Sequence, residues 1–210
     1  MKSNTVSVLR RKPGRPTIDR RDEILDAAHR LYDRIGFEKT TIGDIAGDLA
    51  MSPANIYRSF PNRRAIDEAI AARRLSQIED AAWSGARSSP EAPVALRTMV
   101  TKVHTVSREL MFDGERLNEL CAIAAREHWG VVDNYLNSLR GAIRHVIMEG
   151  QRSGQFAKTD PEAAASTALH ALMAVWHPRM IEAAGAADLT PIADDLCALI
   201  VDALSNKMTR

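Results

Sequence analysis

Between residues 40 and 63 the sequence gathers groups that form hydrogen bonds rather than break covalent ones. Hydroxyls stand at Thr40, Thr41 and Ser52, an amide at Asn55, a phenol at Tyr57, and guanidinium groups at Arg58 and Arg63. Pro53 and Ala54 lie among them and are small enough to allow close approach. The set suits a partner that carries phosphates and base edges. Tyr57, Arg58 and Arg63 can reach phosphate oxygens, and Thr40 or Thr41 can offer a hydroxyl and free backbone N–H groups to another. Asn55 can pair with adenine through two hydrogen bonds, and Ala54 can touch a thymine methyl. Taken singly, Tyr57 reads as a half-buried core tyrosine, and the arginines as ordinary surface residues.

These groups need short helices to present them. Thr41 followed by Asp44 forms a capping box, and Ile42, Ile45, Ala46 and Leu49 give the helix it opens a buried face. Ala50-Met51 makes a turn. Ser52-Pro53 then starts a second short helix, with Ser as cap and Pro at the first helical position. Ile56, Tyr57 and Phe60 are spaced for one helical face, and Pro61 stops it. A preceding helix runs from a cap at Asp19 to Gly36, with Ile24, Leu25, Ala28, Leu31, Tyr32 and Ile35 at helical spacing. Two brief helices about a tight turn, behind a third, predict a helix-turn-helix whose second member enters a DNA major groove.

Charge distribution supports the same partner. Residues 1–74 carry a net charge of +5 and residues 75–210 a net charge of −4, hidden within a total of +1. Residues 1–18 hold Lys2, Arg10, Arg11, Lys12 and Arg15, and no acid. They read as a basic arm on a polyanion or, equally on charge alone, as a solvated tail.

The composition predicts an all-α chain. Ala, Leu, Ile, Met and Arg abound, only 5% of residues are aromatic, and no run of alternating β-branched residues occurs. About nine helices are expected. The domains are expected at 1–18 (arm), 19–62 (helix-turn-helix) and 63–210 (a helical ligand-binding and dimerisation unit). No segment has the length and apolarity of a membrane span, and the basic N-terminus lacks the apolar stretch of a signal peptide, so a cytoplasmic protein without a membrane partner is expected. Cys121 and Cys197 form neither a disulfide framework nor a zinc spacing and read as small buried apolar residues. The six histidines show no His-Glu-x-x-His pattern, and no Gly-rich phosphate loop or Gly-x-Ser-x-Gly motif is present. Catalytic residues, metal ligands and cofactors are therefore expected to be none. A helical adaptor that binds no DNA would leave the basic arm and the Ser52–Asn55 segment unexplained.

The stretches Thr40–Ala46 and Ser52–Arg63, with Gly36-Phe37 before them, resemble the helix-turn-helix of the TetR family of transcriptional regulators over about residues 19–72. The resemblance implies that Tyr57 contacts the DNA backbone and that Arg63 stands where a phosphate-binding lysine is common. It places Ala54, Asn55 and Arg58 near the bases, and Lys12 and Arg15 in an arm that some members lay along the minor groove. One departure is Ala50, where the family often has glycine.

The same resemblance implies a homodimer that binds palindromic operator DNA, acts as a repressor and is released by a small-molecule effector. The dimer would form through the last two helices, with Leu169, Leu172, Ile192, Leu196, Leu199 and Ile200 as candidates; the same apolar stripes also suit the subunit's own core. The effector pocket would draw on Met99, His104, Trp129, Met173, Trp176 and His177. Pro178 should kink or break the next-to-last helix there, because it removes a backbone donor.

Overall fold

The computed structural model describes residues 20–112, 115–185 and 187–206, the side chains of residues 111–118 excepted. All regular structure among them is helical. Ten α-helices follow in order: α1 (Arg21–Ile35), α2 (Ile42–Asp48), α3 (Pro53–Ser59), α4 (Arg63–Ala86), α5 (Ala92–Phe112), α6 (Glu115–Arg126), α7 (Gly130–Arg152), α8 (Pro161–Trp176), α9 (Pro178–Ala184) and α10 (Thr190–Ser205). The tenth arises from Pro178. His177 takes an extended conformation and ends α8, and its ring then caps α9 by accepting from the Arg179 amide at 3.2 Å. The basic arm with Lys12 and Arg15, the Asp19 cap, the Met111 and Phe112 side chains and the break at Asp113-Gly114 lie outside the described residues.

Local chemistry sets most boundaries. Asn62 accepts from the Ala65 amide at 2.9 Å and opens α4. Asp160 accepts from the amides of Glu162 and Ala163 and opens α8 over Pro161 at its first turn. Each bond satisfies an amide that the helix itself cannot.

Two hydrophobic clusters organise these helices. One joins Ile24, Leu31 and Tyr32 of α1 with Ile45, Ile56 and Phe60, and takes in Ile66, Ile70 and Ala71 of α4, Leu120 and Ala124 of α6, and Trp129. The other packs Ile78, Ala82 and Ala86 of α4 against α5, α7, α8 and α10. The cores therefore do not part at residue 62, where the sequence placed a boundary. Helix α4 begins in one core and ends in the other, because its 24 residues reach about 36 Å at 1.5 Å each. The two cores share one rod.

Helices α4 and α5 meet most closely at Gly85. A Cβ built there would sit 2.4 Å from Met99 Cα and 2.7 Å from Met99 N. Only hydrogen fits between the two backbones.

Candidate nucleic-acid interface

Helices α2 and α3 are seven residues each, and each buries one edge only: Ile45 and Ala46 from α2, Ile56 from α3. The turn between them closes with Ala50 N–H donating to Gly47 O at 3.1 Å and Met51 N–H to Ala46 O at 2.9 Å. Ala50 sits at φ +49. The family's frequent glycine is thus replaced by alanine without a change to a right-handed turn, at a cost of about 1–2 kcal/mol that the buried Ile45, Ile56 and Phe60 must offset.

Ser52, Pro53, Ala54, Asn55, Tyr57 and Arg58 are all exposed around the start and outer face of α3, with Tyr57 52% accessible. The Ser52 side chain makes no capping bond. Arg21 donates to the Ser59 carbonyl at 2.7 Å and stacks over Phe60, which fixes the far end of α3. The result is a short helix held by its inner edge and its C-terminus, with its N-terminal residues presented outward. A reading helix needs this geometry.

Thr41 and Thr40 serve the fold more directly than expected. The Thr41 hydroxyl donates to Asp44 Oδ2 at 2.7 Å and accepts from the Asp44 amide at 3.1 Å, while the Thr41 amide donates to the same carboxylate at 2.8 Å. These bonds, the hydroxyl's first, hold the Asp44 carboxyl below its usual range. Any phosphate arriving here would meet the amides of the first turn beside a carboxylate rather than a free Thr41 hydroxyl. Thr40 is 1% exposed and its hydroxyl donates to Gly36 O at 2.8 Å, so Thr40 does not reach the surface.

Replacing Thr41 with alanine is expected to cost about 1 kcal/mol of stability. It should also return the Asp44 carboxyl towards its ordinary value, read by NMR titration. Because folding depresses this carboxyl, its support for α2 is complete above the unfolded value near 3.8 and is lost as pH falls through the lower folded one. An unchanged titration in Thr41→Ala would refute the assignment.

Arg63 departs furthest from the sequence reading. Its Nε donates to Asp67 Oδ1 at 2.9 Å and lies 3.0 Å from the Tyr32 hydroxyl. Its two terminal nitrogens donate to the Thr40 and Phe37 carbonyls. Tyr32 donates to Asp67 Oδ1 at 2.5 Å and is itself fully buried. Burial first, and Asp67 second, push the Tyr32 phenol far above its usual range, so it stays a neutral donor. Burial opposes the Arg63 charge, but Tyr32 and Asp67 outweigh it and raise its pKa. A guanidinium with its donors committed inward has little left for a phosphate. It instead ties the first turn of α4 to α1 and to the loop before α2. Sequence reasoning missed Asp67 and the Tyr32 hydroxyl. The Arg63–Asp67 spacing of four was visible, but nothing local placed Tyr32 against it.

Beyond the interface, the six pocket candidates separate. Trp176 and Met99 are buried in the second core and Met173 packs against it. His104 is 2% exposed and bonds to the end of α8, and His177 caps α9. Trp129 belongs instead to the first core, under the Arg64 guanidinium at 3.8 Å and donating to Glu127 at 3.0 Å. It lines the junction between α4 and α6, not a pocket with Trp176. Two open cavities lie elsewhere. One of about 450 Å³ is lined by Arg87, Ser88, His145 and Glu149 among others. One of about 260 Å³ lies between α1 and α4 at Asp26, His29, Arg73 and Arg74.

The dimer candidates also divide. Leu169 and Leu172 are 3% and 0% exposed and face the subunit's own core, so neither is available to a partner. Ile192 and Leu199 are 49% and 65% exposed on α10, with Leu196 and Ile200 half-buried beside them. Among the described residues, no cluster of three His, Cys, Asp or Glu side chains is placed to hold a metal ion, and no helix is long and apolar enough to cross a membrane.

Comparison with known proteins agrees with this geometry. Residues 24–70 match the family model described as bacterial regulatory proteins, tetR family. Residues 92–197 match the model described as the tetracyclin repressor-like C-terminal domain. The HTH-type nicotine-responsive transcriptional repressor HdnoR of Paenarthrobacter nicotinovorans is 36% identical over 62 residues, a match that spans 30% of this chain and 32% of that protein. A transcriptional regulator from Cytophaga hutchinsonii superposes with a TM-score of 0.65 at 18% identity, over 88% of this chain and 98% of its own. The fatty acid degradation regulator FadR from Bacillus halodurans does so with a TM-score of 0.61 at 20% identity, over 95% and 100%. With its exposed α3, its two-core architecture and a C-terminal model that matches half its length, this chain belongs to the TetR family of DNA-binding transcriptional regulators.

Proposed function

We propose that the chain is a repressor that binds palindromic operator DNA as a homodimer and leaves it when a small molecule enters the second core. The observation that carries the reading is α4. It is anchored to the helix-turn-helix through Arg63 and packed into the ligand-domain core through Ile78, Ala82 and Ala86. A ligand that favours a different position of α4 changes the placement of α3. It shifts the population only to the extent that it binds that state better. HdnoR, matched over a segment of similar size to the helix-turn-helix, is named as a nicotine-responsive repressor, which supports ligand control and repression here.

Asn55, Ala54 and Arg58 read bases in this proposal, and Ser52, Pro53 and Tyr57 follow the backbone at the groove edge. The test is a gel-shift titration against the DNA upstream of the chain's own gene at several salt concentrations. Affinity should fall steeply with salt, because phosphate contacts release counterions. Asn55→Ala should relax specificity at one base pair by about 1–3 kcal/mol, and Tyr57→Phe should weaken all sequences alike. Salt-insensitive binding, or none, would sink the proposal.

The homodimer is proposed through the outer faces of α8 and α10. Thr167, His170 and Ala174 lie exposed along one face of α8, and Ile192 and Leu199 stand out from α10. Ala174 on one helix allows close approach, and the apolar pair on the other supplies surface to bury. Leu199→Glu should give a monomer by sedimentation and lower operator affinity by about a hundredfold, through loss of the second half-site. A dimeric Leu199→Glu variant would place the interface elsewhere.

A further inference from the structure

The break between α8 and α9 leaves its mark on α5. Pro178 offers no N–H, and the next amide, of Arg179, donates to the His177 ring. Carbonyls in the last turn of α8 therefore need partners from outside the helix. Val175 O finds one in His104 of α5, whose Nδ1 lies 2.9 Å away. Val100 O, one turn before His104, accepts from the Trp176 indole at 3.3 Å. A carbonyl can only accept, so Nδ1 carries the hydrogen, and in the neutral ring Nε2 is left as an acceptor.

Among the described residues that acceptor has no partner, and neither does Ser107 Oγ one turn further along α5. Both residues are more than nine-tenths buried, at 2% and 5% exposure. Around them Val100, Val103, Val175 and Trp176 are apolar and belong to one cluster. Arg108 and Asp188 pair with each other at 3.3 Å. Native cores rarely leave buried polar atoms unpaired, and here there are two on neighbouring turns of one helix face.

We propose that His104 Nε2 and Ser107 Oγ form the polar end of the effector site, and that the site takes a neutral molecule with a hydroxyl on an apolar body, a phenol above all. This rests on the ligand-controlled reading above. One phenolic hydroxyl satisfies both atoms, donating to Nε2 and accepting from Ser107, while its ring lies among Val103, Val175 and Trp176. An anion is disfavoured, because the neutral His104 ring turns an acceptor towards it and burying its charge is costly. Helix α9, which packs on both α5 and α8, is the seven-residue element that gives way to admit the ligand. Ligand entry at the broken end of α8 thereby acts on α5, whose other side meets α4 at Gly85.

The test is calorimetric titration of the full chain with phenol, toluene and benzoate. Phenol should bind saturably, toluene about tenfold more weakly for want of the hydroxyl, and benzoate not at all. Ser107→Ala should weaken phenol about five- to tenfold and leave toluene unchanged. His104→Leu should abolish the preference for phenol; because it also uncaps Val175 O, Ser107→Ala decides the matter if His104→Leu does not fold. No saturable phenol binding, equal binding of toluene, or an unaffected Ser107→Ala overturns the proposal and leaves a buried water as the partner of both atoms. Phenol binding as expected without any change in operator affinity would retain this site and reject ligand-controlled release. An effector that releases DNA equally from Ser107→Ala and from the unaltered chain would do the reverse.

Discussion

Arg63→Ala is expected to destabilise the protein by about 3–5 kcal/mol, the scale for removing one partner of a buried ion pair. The guanidinium is 26% exposed and the Asp67 carboxylate 13%, so solvent screens the pair little. Its loss leaves that carboxylate, among the described residues, with only the Tyr32 hydroxyl, and leaves the Phe37 and Thr40 carbonyls without their guanidinium donors. In a chain of this length the change should lower Tm by about 10 °C. The DNA readout separates this role from a phosphate contact. A lost phosphate contact would leave Tm alone and reduce the salt slope by about one. Loss of the tie between α4, α1 and the loop should instead lower Tm and operator affinity together, with the salt slope of the remaining binding retained. Arg63→Lys should recover part of the stability, because an ammonium can still pair with Asp67 but cannot span both carbonyls in the plane of a guanidinium. A thermally unaltered Arg63→Ala with a shallower salt slope would restore the phosphate role.

Gly85→Ala carries the second large effect. Alanine favours a helix over glycine by about 1 kcal/mol, so propensity alone predicts a gain. The close approach of α4 and α5 decides otherwise. The added methyl would meet the Met99 backbone, which cannot rotate away as a side chain could, and overpacking of this kind costs about 1–3 kcal/mol or more. Gly85→Val should be worse, since branching at Cβ adds a second clash. The functional consequence follows from the shared rod: pushing α4 off α5 moves the helix that carries Arg63. Operator affinity measured at a temperature where the variant remains folded should therefore fall, although Gly85 lies near the far end of α4 from α3. A Gly85→Ala chain that melts at or above the original temperature would show that the two helices separate freely.

The helix-turn-helix was legible in the sequence because its signals are local. The capping box at Thr41 and Asp44, Pro53 in the first turn of α3, the Asn62 cap and the stop at Pro61 each act within a few residues, and the structure uses them, whereas Ser52 holds the N-cap position without a side-chain capping bond. Pro178 was equally legible as a break, since a missing N–H needs no tertiary context. Exposure was harder to read. Leu169 and Leu172 look like Leu199 in sequence, yet they point into the subunit while Leu199 points out. A helical stripe shows which residues share a face, not what that face meets. Thr40 failed for the same reason: its neighbour Thr41 stays at the surface as a cap, while Thr40 turns inward to Gly36.

The groups that could do chemistry between residues 40 and 63 thus fall into two sets. The sequence by itself determined the short helices, most of their caps, the all-α class and the outward display of Ser52 to Asn55 and of Arg58, because turn chemistry and period fix these within one or two turns of chain. Tertiary structure alone decided that Arg63 binds Tyr32 and two carbonyls, that α4 belongs to two cores, and that His104 and Ser107 keep unpaired atoms inside one of them. Those outcomes depend on partners 23 to 71 residues away in the chain, and which side chain a buried charge or ring nitrogen meets is settled only when the helices pack.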